Sequence, residues 1–170
     1  METKSKGQFT VDREERSILV SREFNAPLQL VWRAYTESEI LDQWWAPLPW
    51  RARTKKMNFT VGGYWLYAMV GPDNEKHWAR VDFTSIDPQK QFQANVAFCD
   101  ENGNLNPALP IFKGINDFTK TTTGTLVEYK MFYLNEKDLQ TVIDMGMEPG
   151  ILACIEQLNT LLEENKIAEK

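Results

Sequence analysis

Trp44-Trp45, followed after one short segment by Thr60-Val61-Gly62-Gly63-Tyr64-Trp65, sets the architecture of this chain. The tryptophan pair closes a short helical segment whose buried side is Ile40, Leu41, Trp44 and Trp45. The two glycines then supply a turn or bulge. Beyond them Tyr64 to Val70 alternates large aromatics, the period of a strand with one buried face. A phosphate cradle at Gly62-Gly63 would need a helix directly after it, and a strand follows instead.

Upstream, Glu15 to Phe24 has strand alternation and ends at Asn25-Ala26-Pro27. Pro27 suits the first turn of a helix, and Leu28, Val31, Trp32 and Tyr35 recur at helical spacing. Thr36-Glu37-Ser38-Glu39 restarts a helix, with Thr36 or Ser38 expected as its cap. Residues 1–14 are polar and mixed in charge and are expected to form a flexible leader, with a single domain over 15–166. Strands are expected over residues 51–60, 64–70, 78–86, 92–99, 112–119 and 125–134, punctuated by Gly71-Pro72-Asp73-Asn74, Asp87-Pro88 and the Asn- and Gly-rich stretch Asp100 to Pro110. Asn135 caps a short helix that stops near Gly146. Pro149 opens a long one with Ile151, Ile155, Leu158 and Leu162 on one stripe and Cys154 and Leu161 beside it.

Runs of strands with helices at the ends give an α+β class and an antiparallel sheet of six to seven strands. One long helix must cover one face of that sheet, so the sheet is expected to curve around it and leave a cavity between them.

The chain has 170 residues, 42% hydrophobic and 25% charged, enough for a substantial core. A net charge of −5 and a pI near 5.0 argue against nucleic acid and against an anionic membrane surface as partners. Two cysteines, Cys99 and Cys154, make no disulfide framework, which points to a cytoplasmic setting. No membrane span and no signal peptide are expected.

Several segments together resemble the START-like (SRPBCC) superfamily with the helix-grip fold, and within it the family named for activators of the heat-shock-protein-90 ATPase. They are Arg22-Glu23-Phe24-Asn25-Ala26-Pro27, Val31-Trp32, Leu41-Asp42-Gln43-Trp44-Trp45-Ala46-Pro47, Phe59-Thr60-Val61-Gly62-Gly63 and Gly146-Met147-Glu148-Pro149-Gly150. The resemblance runs from about Arg16 to Leu162, and it is carried by order and spacing rather than by one motif. The family often places an acidic residue and an arginine shortly before the Gly-Gly, where this chain has Asn58 and Thr60. The fold hosts lipid carriers, cyclases, hydrolases and chaperone regulators, so membership leaves function open.

Core packing is the first expectation for Trp44 and Trp45, and pocket lining the second. Inward-facing tyrosines need partners for their hydroxyls, and a mostly apolar pocket with a few polar groups supplies them. The expected wall is Trp65, Tyr67, Phe83, Phe98, Tyr129, Met131 and Ile151, with Gly146 and Gly150 allowing close backbone approach at the mouth. His77, the sole histidine, is expected on an exposed loop, and neither a metal site nor a nucleophile–histidine triad is expected. Cys99 and Cys154 read as small buried hydrophobes.

Three functions follow. The first is a module binding a hydrophobic small molecule, without cofactor. The second, implied by the resemblance, is a chaperone-binding ATPase activator. The third, also implied by relatives, is a cyclase- or hydrolase-like enzyme on a hydrophobic substrate, which would need paired ionisable groups facing the pocket.

Overall fold

The computed structural model describes residues 7–167. The elements run β1 (Gln8–Asp12), β2 (Ser17–Phe24), α1 (Leu28–Thr36), α2 (Ser38–Leu41), β3 (Arg51–Met57), β4 (Tyr64–Val70), β5 (Lys76–Asp87), β6 (Gln91–Cys99), β7 (Ile111–Lys120), β8 (Thr125–Tyr133), α3 (Glu136–Asp144) and α4 (Met147–Glu163). All strands join one sheet of eight in the order β1-β2-β8-β7-β6-β5-β4-β3, and each neighbouring pair is antiparallel. Register shifts at Thr54/Lys56 and Phe83/Ser85 mark bulges, which bend the strands that carry them. The sheet curves around α4, giving the expected helix-grip arrangement with one strand more than the sequence reading found.

The extra strand corrects the expected leader over residues 1–14. Residues 8–12 pair with β2 instead, from Gln8 opposite Ser21 to Asp12 opposite Ser17. Phe9 and Val11 pack against the core while Gln8, Thr10 and Asp12 face out, an ordinary edge-strand alternation. Residues 1–6 lie outside the described part.

Three hydrogen-bonded ties fix the tryptophan pair. Trp44 is buried and its Nε1 donates to the Ala34 carbonyl at 3.0 Å, locking the turn after α2 onto α1. The Asp42 carboxylate accepts from the Thr54 amide at 3.0 Å and from the Thr54 hydroxyl at 2.6 Å, joining that turn to β3. From α4, Gln157 Nε2 donates to the Ala46 carbonyl at 2.8 Å, while its Oε1 accepts from the Leu48 amide at 2.9 Å. These contacts set the axial position of α4 over the sheet. Neither expected cap serves α2: Glu37 occupies the N-cap, and the Thr36 hydroxyl donates back to the Trp32 carbonyl at 2.8 Å. Asn135 does cap α3, accepting from the Asp138 amide at 2.8 Å.

At Gly62-Gly63 the chain turns back from β3 toward β4. Gly62 sits at φ 89°, and a Cβ at Gly63 would lie 2.3 Å from the Asn58 carbonyl oxygen, so the turn closes only without side chains.

Candidate functional site

The concave face of the sheet is full at one end and hollow at the other. At the full end α1 drives Trp32 among Phe59, Phe92 and Phe118, with ring centroids at 5.9, 5.9 and 4.9 Å. At the hollow end, under the start of α4, lies a cavity of about 310 Å³.

Cross-strand rows explain the hollow. Tyr67 lies opposite Ala79, and Phe83 opposite Ala94, which lies opposite Gly114. Small residues thus recur across the centre of the concave face, flanked two positions along by Val81 on β5, Phe92 and Val96 on β6, and Phe112 and Asn116 on β7. Gly114 is required there. A Cβ on it would fall 2.8 Å from Cε1 and 3.2 Å from the hydroxyl of Tyr129, so the bare backbone lets the Tyr129 ring lie across β7.

The structure brings Trp65, Tyr67, Phe83, Phe98, Tyr129, Met131 and Ile151 together on the lining of this cavity. Trp65 and Tyr67 stack at 4.1 Å between centroids. Trp65 Nε1 donates to the Thr54 hydroxyl at 2.9 Å, which passes the tie to Asp42 on to the wall. Phe98 and Ile151 are half-buried and stand toward the mouth, which Pro47, Met145, Gly146, Met147 and Gly150 also line. The expected close backbone approach at Gly146 and Gly150 is not found: a Cβ on either would meet no atom within 4 Å. Those glycines leave room instead.

Other residues complete the lining. Trp45 belongs to the wall, and its Nε1 donates to the Tyr67 hydroxyl at 2.9 Å. The adjacent tryptophans therefore divide the two expected roles, Trp44 in the core and Trp45 on the cavity. Tyr35 and Asn116 also line it. Asn116 was legible in principle, because Phe112, Gly114, Asn116 and Phe118 share one parity of β7 and that parity is buried.

Burial pushes the hydroxyls of Tyr35, Tyr67 and Tyr129 well above the ordinary tyrosine range; hydrogen bonding from Trp45 opposes this at Tyr67, and the Arg22 charge opposes it at Tyr35. Burial also pushes the Cys154 thiol up to about 12, and raises Cys99 more modestly. All these groups stay protonated near neutral pH, so the tyrosines face the cavity as neutral donors. Among the described residues lining the cavity there is no Asp, Glu, His, Lys or Arg. His77 lies exposed in the first residues of β5, rather than on the expected loop, with its ring 5.4 Å from that of Trp50. Among the described residues, no group of three or more His, Cys, Asp or Glu is placed to hold a metal ion, and no helix is long and apolar enough to cross a membrane.

A curved antiparallel sheet gripping a C-terminal helix over an apolar cavity defines the START-like class. Within it, residues 25–163 match the model of the family described as "Activator of Hsp90 ATPase homolog 1-like protein", and the chain belongs to that family. Among solved structures it is similar to protein Ms6760 from Mycobacterium smegmatis, with a TM-score of 0.85 and 30% identity over 91% of this chain and 95% of that one. It is also similar to a protein from Arthrobacter aurescens, with a TM-score of 0.87 and 29% identity over 92% and 91% of the two chains. A protein from Nitrosomonas europaea follows at 0.75 and 25%, over 89% and 97%. Among curated proteins, no significant match is found.

Proposed function

We propose that this protein binds a largely apolar small molecule in the cavity between the sheet and α4. The observation that carries this reading is a hollow of about 310 Å³ between the sheet and α4, walled by aromatic and aliphatic side chains. That volume is at the lower end of the range for small-molecule sites, and a few hydroxyls and one amide among apolar walls are the usual composition of such sites. Protein interiors rarely leave voids of this size, because every lining atom loses dispersion contacts across the gap.

The third reading, catalysis, needs an acid and a base held at the reacting group. The cavity offers neutral tyrosine hydroxyls, an amide and a buried thiol held protonated, which support binding rather than proton transfer at neutral pH. The chaperone reading is favoured by the family description alone. Its test is direct: added chaperone ATPase should be stimulated by this protein if that reading is right.

Titration with the neutral fluorophore N-phenyl-1-naphthylamine tests the binding reading. Saturable uptake of about one molecule per chain, seen as an emission rise and as a mass shift under native spray conditions, is the expected result. A protein that takes up no apolar probe would overturn it.

A further inference from the structure

We infer that the deep end of the cavity is a recognition point for one uncharged oxygen-bearing group, built from the side chains of Asn116 and Tyr129, so that the ligand is a neutral molecule of two or three apolar rings carrying a carbonyl or hydroxyl. The inference rests on the binding reading above and adds the chemistry of what is bound.

Asn116 and Tyr129 are register partners on β7 and β8, so their side chains rise side by side from the concave face. They are 6% and 8% exposed, and both line the cavity. Among the described residues, no side chain or backbone group hydrogen-bonds to the Asn116 amide or the Tyr129 hydroxyl. Both nonetheless retain surface, which at this depth can only be surface facing the hollow. An asparagine amide offers two donors and an acceptor, and a tyrosine hydroxyl offers one donor and accepts as well. Buried polar groups are nearly always hydrogen-bonded, so two adjacent ones aimed into an apolar hollow call for a partner inside it.

Their position gives the ligand its direction. Asn116 lies opposite Phe92 on β6, and Phe92 is already part of the packed aromatic end. The pair therefore stands at the inner limit of the hollow. From there the walls run past Met131 and the stacked Trp65 and Tyr67 to Phe98 and Ile151 at the mouth. Flat apolar rings fit between such walls. A carboxylate head group does not suit the inner end. No cation lines the cavity among the described residues, and an unpaired buried charge is far more costly than an unpaired dipole.

Gly114 is the device that makes the pair usable. It lets the Tyr129 ring lie over β7, carrying the hydroxyl along the same strand face as Asn116, two residues away.

The test uses three matched probes competing with N-phenyl-1-naphthylamine: 2-acetylnaphthalene, 2-ethylnaphthalene and 2-naphthoate. Wild type should prefer the ketone to the hydrocarbon by about tenfold, the scale of one or two net hydrogen bonds, and should bind the carboxylate most weakly. Asn116→Leu should bring ketone and hydrocarbon to equal affinity and melt no lower than wild type, because it removes an amide with no protein partner. Tyr129→Phe, which deletes one oxygen, should narrow the preference in the same way and keeps the test open should Asn116→Leu fold poorly. Equal binding of ketone and hydrocarbon by wild type, or a preference that survives both substitutions, would overturn the inference while leaving the binding reading standing. So would 2-naphthoate binding as tightly as the ketone. Wild type that takes up none of the probes would overturn both.

Discussion

The two ends of the concave face share one sheet and differ in what stands on it. At the α1 end, Trp32 meets Phe59, Phe92 and Phe118 in edge-to-face contacts, and Tyr35 bridges Phe118 and Trp44 at 5.3 and 4.9 Å. At the α4 end, the corresponding rows carry Ala79, Ala94 and Gly114, and α4 itself presents Gly150. The first end is filled by interlocking rings and the second leaves open space. The same strands serve both because side-chain size changes along them, from Phe83 back to Ala79 on β5 and from Phe92 on to Ala94 on β6.

The largest expected effect is at the packed end. Trp32→Ala should cost about 3–5 kcal/mol, a large share of typical domain stability. Phe98→Ala, on the half-open wall, should cost only about 1 kcal/mol, since one side of that ring already lacks neighbours. Urea denaturation of the two variants measures the contrast. Equal losses would mean that the ends do not differ in the way described.

Filling the hollow comes next. In a solid core, an Ala-to-Leu change forces overpacking worth roughly 1–3 kcal/mol. Ala94→Leu should cost less than about 1 kcal/mol, because its added methyls enter the cavity, and should abolish probe uptake. A variant strongly destabilised yet binding as wild type would place the free space elsewhere.

How far the sequence alone reached follows the same division. Large side chains announce themselves by period. The α4 stripe, the alternation of β4 and β8, and Trp65, Tyr67, Tyr129 and Met131 as inward positions are all legible that way. The hollow is made by small residues, and alanines and glycines carry no such signal. That Ala79 faces Tyr67, or that Gly114 lies beneath Tyr129, depends on register between strands, which one sequence does not display. Asn116 was hidden for a related reason: a polar residue in a strand reads as solvent-facing until its parity is compared with Phe112 and Phe118. β1 went unread because Phe9 and Val11 alternate over only five residues inside a polar stretch.

A smaller effect concerns pH. Burial raises the Cys154 thiol from its ordinary 9.0 to about 12, and raises the cavity tyrosines as well. The folded state then holds protons that the unfolded chain releases, so stability is fully present below about pH 9 and falls as pH rises toward 12. Urea midpoints from pH 7 to 11 should be level at first and then decline. A rise over the alkaline range would contradict the assigned burial. Cys154→Ala should flatten part of the decline, and the tyrosines the remainder.

The smallest effect sharpens the reading of the mouth. Gly150 is helical, and a Cβ there would touch nothing within 4 Å, so Gly150→Ala should stabilise by up to about 1 kcal/mol through helix propensity alone. Thermal melting checks this. A loss of stability would show that the backbone at the mouth is constrained in a way its open surroundings do not explain.

The central claim is that the hollow end, and not some exposed apolar surface, takes up ligand. Methyl-resolved NMR during titration with N-phenyl-1-naphthylamine tests it most directly. Shifts concentrated on the methyls of Ala79, Ala94, Met131 and Ile151, with Val31 and Leu158 unmoved, are the expected result. Shifts confined to exposed residues such as Leu48 and Leu134, with Ala94 and Met131 silent, would contradict it.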